Sequence, residues 1–292
     1  MTEMLFDTYV AIDWSAANAP TKGKDSIWIA AEGLDGARCE NIPTRKAAVD
    51  FLTAFIRKQI DGGLRVLAGF DFAFGYPEGF AERVAGQADC HSLWTLIDEQ
   101  ITDGDDNRSN RFAAGEALNR SFGEPLFWGK PHQQADLYPD LPSKRPDTSF
   151  PTRRHVEVAV SSAKSVFQLA YNGAVGSQTL LGIPALLKLQ RETGAKVWPF
   201  ETQFADNLPG GPSAVFAEIY PTLVLSRAPE GDVKDKAQVE AMAYTMARLD
   251  RQGTLRQLLE PPPGTTEAQR LVMEREEGSI LGAGVLGIKE NG

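Results

Sequence analysis

The sequence is poor in the residues that build zinc sites and disulfide frameworks. It contains two cysteines, Cys39 and Cys90, and three widely spaced histidines, His91, His132 and His155. The cysteines form no CxxC pair and the histidines form no HxxxH pair. We therefore expect reduced, incidental thiols and no His/Cys zinc site.

Long apolar runs and positive charge are also scarce. No apolar run approaches the ~18 residues of a membrane span, and the amino-terminal residues lack the basic, apolar and small-residue order of a signal peptide. We therefore expect a cytoplasmic protein with no membrane partner. The net charge of -9 argues against broad nucleic-acid coating, so any polyanion must bind at a defined site.

Three familiar site motifs fail on their context. Residues 282–287 match the dinucleotide pattern GxGxxG, but too few residues follow to supply the helix whose amino end would hold a phosphate. Lys130 follows a glycine but lacks the remaining glycine of a phosphate-binding loop, and Ser15 and Ser165 lack the GxSxG elbow. The sequence thus gives no support to a Rossmann site, a Walker A site or a hydrolase triad.

The residue pattern predicts an α/β fold, with 1–292 as a single domain. Short apolar runs predict four strands: one that ends at Asp13, one at 26–32, one at 37–42 and one that ends at Asp71. Thr44 is expected to cap a helix between the last two strands. Later segments predict a helix at 179–193, strands at 195–200 and 214–221, and a helix at 235–249. The order β-β-β-α-β is typical of a sheet that starts as a meander and continues through a helical crossover.

Residues 76–176 interrupt this pattern. They are rich in proline, with helical pieces near 91–101 and 109–121, and they are too long for a simple loop. We interpret them as an α-rich insertion that forms a lid over the ends of the strands. The insertion carries Arg153, Arg154 and Lys164, which we expect to face bound phosphate, although a direct ion-pair network with nearby acids is the alternative.

Two predicted strands each end in a single carboxylate, Asp13 and Asp71. A carboxylate beside a Phe-rich run is costly unless it is paired, hydrogen-bonded or bound to a metal. Ligands of open α/β sheets bind at the carboxyl ends of the strands, and one shared cation would offset the cost for both acids. An aspartate that caps a turn is the simpler alternative for Asp13.

Two further acids follow the same logic. Glu218 lies within an apolar run, and Asp235 lies in the first turn of a strongly helical segment, one turn before Gln238. A helix-dipole role is the alternative for Asp235. Glu201 also ends an apolar run, which leaves open whether Glu201 or Glu218 is the additional site acid.

Together these acids resemble the ribonuclease H-like (RuvC resolvase-like) superfamily, and most closely its branch of predicted RNase H-like nucleases. The resemblance is carried by the segments 10–15, 69–77, 217–221, 234–238 and 276–282. It implies an RNase H-like mixed sheet flanked by helices, with Asp13 as the metal ligand of the first strand, Asp71 as the acid of the fourth strand and Asp235 as the acid of the last catalytic helix.

The resemblance implies a metal-dependent phosphodiesterase or nuclease. Asp13, Asp71, Glu218 and Asp235 would be both the catalytic and the metal-binding residues, because clustered carboxylates favour Mg²⁺ or Mn²⁺. The sequence departs from the pattern at Gln238, where these nucleases often have a second acid on the helix. A neutral amide is a weaker ligand than a carboxylate, which leaves open whether one ion or two bind.

We assign substrate binding to Ser15, Arg154 and Lys164, with a nucleic acid or a small phosphate-containing ligand as the expected partner. Two alternatives remain at this point. One is a phosphotransferase of the actin and sugar-kinase type, and the other is a non-catalytic binding protein for a small anionic metabolite.

Overall fold

The computed structural model describes residues 4–34, 36–131, 136–171 and 174–287. Six strands form one mixed sheet in the order β3-β2-β1-β4-β6-β5, with helices on both faces, which confirms the predicted α/β class and mixed sheet. The strands are β1 Thr8–Asp13, β2 Ile27–Gly33, β3 Arg38–Ile42, β4 Arg65–Phe70, β5 Lys196–Val197 and β6 Ser213–Glu218. The helices are α1 Arg45–Asp61, α2 Phe80–Ala85, α3 Cys90–Gln100, α4 Arg111–Phe122, α5 His155–Ala159, α6 Gly176–Thr193, α7 Lys234–Arg251 and α8 Glu267–Val272.

The register of the central strands brings their carboxyl ends together. Strand β1 runs antiparallel to β2 and parallel to β4, which in turn runs parallel to β6. Ile12 pairs with Phe70, and Phe70 pairs with Glu218. Because parallel strands end at the same edge, Asp13, Asp71 and Glu218 emerge side by side.

The alternation of β1 divides the core into two layers. Val10 and Ile12 pack on the side of α1, α3 and α6, whereas Tyr9 and Ala11 pack on the side of α7. All four side chains are buried, as expected for a central strand that is covered on both faces. Strand β1 therefore delivers Asp13 from a central strand that is buried on both faces.

The predicted cap of α1 and the predicted end of α6 agree with the structure, whereas α6 begins at Gly176, three residues before the predicted start. The hydroxyl of Thr44 accepts a hydrogen bond from the Ala47 backbone N–H, which caps the start of α1. Helix α6 ends at Gly194, whose φ of 69° places it in the left-handed region that glycine tolerates.

The segment between β4 and α6 carries the helices α2 to α5 and shares the main core. Its aromatic side chains Tyr76, Phe80, Phe127 and Phe167 contact one another at ring-centroid distances of 4.9 to 5.9 Å. These rings belong to the same buried cluster as the residues of α1 and α6. The segment is thus anchored to the sheet by a continuous apolar layer.

One predicted strand is much shorter than expected. Only Lys196–Val197 pairs with β6, although the apolar run continues to residue 200. The Trp198 N–H still reaches the Phe216 carbonyl, but the Glu201 N–H donates to the Val197 carbonyl, which closes a turn directly after β5. Glu201 then accepts the Val197 N–H, which turns the chain away from the sheet.

In the part of the chain that the structure describes, no helix combines the length and the apolar character needed to cross a bilayer.

Candidate functional site

A cavity of about 590 Å³ lies at the carboxyl edge of β1, β4 and β6. Its walls come from the loop after β1, the start of α7, the chain that follows β6 and residues of the segment between β4 and α6. The structure brings all seven site residues predicted from the sequence to this cavity: Asp13, Ser15, Asp71, Arg154, Lys164, Glu218 and Asp235. Gln238 also lines it, whereas Glu201 lies elsewhere, on the turn after β5.

Asp13 and Asp71 are the two acids whose titration is most disturbed. Burial raises the pKa of Asp13 well above its usual range, and the negative charges of Asp71 and Asp235 raise it further. Burial, followed by Glu218 and Asp235, raises the pKa of Asp71 to about 7. Carboxylates that share a poorly solvated site resist ionising together. The cavity therefore favours a bound proton or a cation at this position.

Asp235 approaches the same position from the first turn of α7. Its Oδ2 accepts a hydrogen bond of 2.9 Å from the backbone N–H of Asp25, which fixes the carboxylate beside the loop after β1. The neighbouring Lys234 is exposed, and its positive charge lowers the pKa of Asp13 and of Asp71, against the larger effect of burial.

Glu218 has a different environment, because Arg154 neutralises it directly. The Arg154 Nη1 donates to Glu218 Oε2 at 2.8 Å, and its Nη2 donates to Oε1 at 2.6 Å. The Arg154 Nε donates to Glu157 Oε1 at 2.9 Å, and Nη1 also donates to the Glu277 carbonyl. Both Glu218 oxygens are thereby engaged in a bidentate pair.

This geometry corrects the placement expected for Arg154. We expected its guanidinium to face the site carboxylates across a gap that a phosphate would fill, but it is 1% exposed and bonded directly to one of them, Glu218. Burial lowers the pKa of Arg154, but Glu218 and Glu157 raise it above its usual range. The alternative of a direct ion pair therefore describes Arg154, with the buried Glu157 as a third member that the sequence analysis did not identify.

Lys164 and Ser15 have contrasting surroundings. Lys164 is exposed at the cavity, on the segment between β4 and α6. The Ser15 hydroxyl donates to the Asp25 carbonyl at 2.7 Å and accepts the Ala17 N–H at 3.2 Å. Ser15 thus shapes the loop after β1, and Lys164 presents its charge to the cavity.

Arg45 was missed by the sequence analysis, although it supports that same loop. Its buried guanidinium donates to the carbonyls of Ser15 and Ala17 and forms two bonds of 2.6 Å with Asp103. The first residue of a surface helix carries no sequence signal for such a role. Arg45 ties the loop beside Asp13 to the segment between β4 and α6.

Glu276 and Glu277 hold the other side of the site. Glu277 accepts the backbone N–H groups of Glu78 and His155, and Glu276 accepts the Gly79 N–H. Gly75 passes so close beneath them that a Cβ there would lie 2.2 Å from the Glu276 carbonyl oxygen. Both acids therefore organise the backbone that follows Asp71.

The types of donor at this position suit a hard divalent cation, and Asp13, Asp71 and Asp235 lie close enough to disturb one another's titration. Within the described ranges of the chain, no three His, Cys, Asp or Glu side chains are grouped closely enough to hold a metal ion. The oxygens of Asp13, Asp71 and Asp235 are of the kind that Mg²⁺ and Mn²⁺ prefer, and a cation would relieve their mutual repulsion.

Gln238 offers a further oxygen. Its Nε2 donates to the Leu225 carbonyl at 2.7 Å, which leaves the amide oxygen to act as an acceptor.

Comparisons of the chain with protein-family models, with curated proteins and with solved structures found no match.

Proposed function

We propose that this protein is a metal-dependent phosphodiesterase of the RNase H-like type, acting through the acids at the carboxyl edge of β1 and β4. The observation that carries the proposal is the pair formed by Asp13 and Asp71, whose pKa values are raised by burial and by neighbouring carboxylates in one cavity. Strongly perturbed titratable groups in a cleft are typical of functional sites. The strand order β3-β2-β1-β4-β6-β5 supports the fold resemblance.

Each residue has a role that its contacts support. Asp13, Asp71 and Asp235 would hold Mg²⁺ or Mn²⁺, with the Gln238 amide oxygen as a neutral donor. When bound, the ion supplies charge neutralisation and a water of lowered pKa. Lys164 would hold a non-bridging phosphate oxygen.

Arg154 has a supporting role in this proposal. It neutralises Glu218, and so limits the negative charge that the cation and the substrate meet. In this proposal Glu218 therefore does not bind the ion directly and instead stabilises the site through its pair with Arg154.

The proposal is tested by Asp13→Asn, which removes charge while preserving shape. Mn²⁺ binding is measured by calorimetry, and metal-dependent cleavage is measured on single-stranded, duplex, hybrid and branched nucleic acids and on small diesters, with ATP hydrolysis as a control. We expect the variant to lose Mn²⁺ affinity by at least about 100-fold and to lose cleavage.

The matched control is Asp61→Asn, an exposed acid at the end of α1. It should bind Mn²⁺ and cleave as the unsubstituted protein does. Equal Mn²⁺ affinity in the Asp13 and Asp61 variants, or metal-independent cleavage in both, would contradict the proposal. ATP hydrolysis without phosphodiester cleavage would instead favour a phosphotransferase.

A second candidate function follows from the Arg154–Glu218 pair. Because this pair neutralises Glu218 without a metal, the cavity would also suit a non-catalytic receptor for a small anion. Calorimetry of phosphate or nucleotide binding in the presence of a chelator separates the two, since only the receptor binds the anion without a divalent ion.

A further inference from the structure

The volume of the cavity suits one small molecule. Ligand sites for small molecules typically occupy ~300 to 1,000 Å³, and this cavity is about 590 Å³. A groove for single-stranded nucleic acid instead follows the backbone over ~4 to 16 nucleotides. The size of the site thus limits how much of a substrate it can surround.

Hydrogen bonds join the cavity walls to one another. The Tyr220 hydroxyl, on the chain after β6, donates to the Ser162 carbonyl at 3.2 Å. The Gln178 Nε2, at the start of α6, donates to the Trp14 carbonyl at 2.5 Å. These bonds tie separate elements of the wall together, so the cavity is bounded by elements held to one another and not by independent loops.

The charge of the lining allows for one phosphate. Among the described residues that line the cavity, six carboxylates face three cations, which gives a formal charge of -3 when all are ionised. The carboxylates are Asp13, Asp25, Asp71, Glu157, Glu218 and Asp235, and the cations are Arg154, Lys164 and Lys234. One divalent ion would bring this charge to roughly -1 and two ions to roughly +1, so a single phosphodiester balances the charge of the lining only when two ions are bound.

Additional phosphates would have no such compensation. Arg154 is already paired with Glu218 and Glu157, so the exposed cations that line the site are Lys164 and Lys234. Beyond the cavity, a strand would meet a protein of net charge -9. Proteins that hold single strands instead provide a basic groove along the backbone.

We propose that the substrate of this site is a small phosphodiester, of dinucleotide size or less, and not a continuous nucleic-acid strand. This inference rests on the proposed phosphodiesterase function and specifies its substrate class. Lys164 contacts the single phosphate, while the lining acids oppose the entry of a second one.

The test compares a thymidine dinucleotide with an oligothymidylate of about 20 nucleotides, in Mn²⁺ at several salt concentrations. We expect kcat/KM to be at least about tenfold higher for the dinucleotide, with a log–log salt slope near -0.7, the value for one phosphate contact with a single strand. Preference for the longer strand with a slope of about -3 or steeper would overturn the inference and leave the phosphodiesterase function standing.

Binding is measured in the same way with Ca²⁺ in place of Mn²⁺, so that the inference has a readout other than turnover. If neither substrate is cleaved, and the nucleic acids and small diesters of the first assay are not cleaved either, the proposed function is wrong. Tighter binding of the dinucleotide would then still support the substrate class, and tighter binding of the strand would refute it.

Lys164→Ala supplies the matched substitution, with Lys144→Ala as the control. Both lysines are exposed on the segment between β4 and α6, but only Lys164 lines the cavity. We expect Lys164→Ala to raise the KM or Kd of the dinucleotide by about tenfold, as expected for the loss of one charge-assisted hydrogen bond, and to leave the melting temperature unchanged. Equal effects of the two substitutions would overturn the role of Lys164.

Discussion

Replacing Arg154 by methionine should reveal how much of the folding free energy depends on its ion pairs. Methionine keeps a long unbranched side chain but removes the guanidinium, so that Glu218 and Glu157 lose their shared partner. The Glu277 carbonyl loses its donor as well. All of these groups lie in the interior, where water replaces the lost bonds poorly.

The expected loss is large. Removing one member of a buried ion pair leaves an uncompensated charge and typically costs ~3 to 5 kcal/mol. For a protein of about this size, 1 kcal/mol corresponds to roughly 2 to 4 °C, so the melting temperature should fall by ~6 to 20 °C. Differential scanning calorimetry in a chelator measures this fall without interference from bound metal.

The loss should depend on pH in a defined direction. Burial raises the pKa of Glu157, and Arg154 opposes that rise. Without Arg154 the pKa rises further, and a carboxyl group whose folded pKa exceeds its unfolded value loses stability as the pH increases through the folded value. The variant should therefore be closest to the unsubstituted protein near pH 5 and furthest from it near pH 8.

Two further variants test the same reasoning. Arg153→Met changes the exposed neighbour and should alter the free energy of unfolding by no more than ~0.5 kcal/mol. Adding Glu218→Gln to Arg154→Met should recover part of the loss, because one uncompensated charge is removed. A fall in stability below about 1 kcal/mol, or a larger fall with no pH dependence, would refute the ion-pair interpretation.

The remaining predictions concern Asp71 and Gly75. Asp71→Asn should raise the melting temperature in a chelator, most strongly above pH 7, because the charged form of a group with a pKa of about 7 is unfavourable in the fold. The same variant should lose the Mn²⁺-induced rise in melting temperature, and an unchanged or lower melting temperature in chelator would contradict the prediction. Gly75→Ala should lower the free energy of unfolding, measured with denaturant, by ~1 to 3 kcal/mol, because its Cβ would collide with the Glu276 carbonyl. Gly210→Ala is the control and should be nearly neutral, because a Cβ there lies in open space. Equal losses in the two variants would refute the packing role of Gly75.

The sheet could be predicted from the sequence because each strand is encoded by a short, local run of residues. The run that ends at Asp13 and the run that ends at Asp71 are apolar and β-prone, and the structure places both as neighbouring central strands. The Thr44 cap and the Gly194 stop are likewise encoded within one helical turn. These features follow from short-range patterns, which is why the α/β class was predictable.

The arrangement of charges around the site was less accessible. Nothing in the sequence near residue 154 says that the side chain is buried against Glu218, because the two are distant along the chain and meet only through the fold. Arg45 was missed for the same reason, because its partners Ser15 and Asp103 are distant along the chain. Glu157 lies only three residues from Arg154, but the local sequence does not show that this turn is buried. The length of β5 was overestimated because an apolar run does not reveal where the chain turns, here through the bonds between Glu201 and Val197.

The buried pair around Arg154 also bears on how the chain matures during synthesis. Arg154 and His155 receive part of their bonding from Glu277, and the backbone after Asp71 depends on Glu276. A nascent chain emerges from its amino terminus, so the strands carrying Asp13 and Asp71 leave the ribosome long before these partners. The carboxylate cluster consequently reaches its final form only after Glu276 and Glu277 have been synthesised, because these bonds cannot form before then.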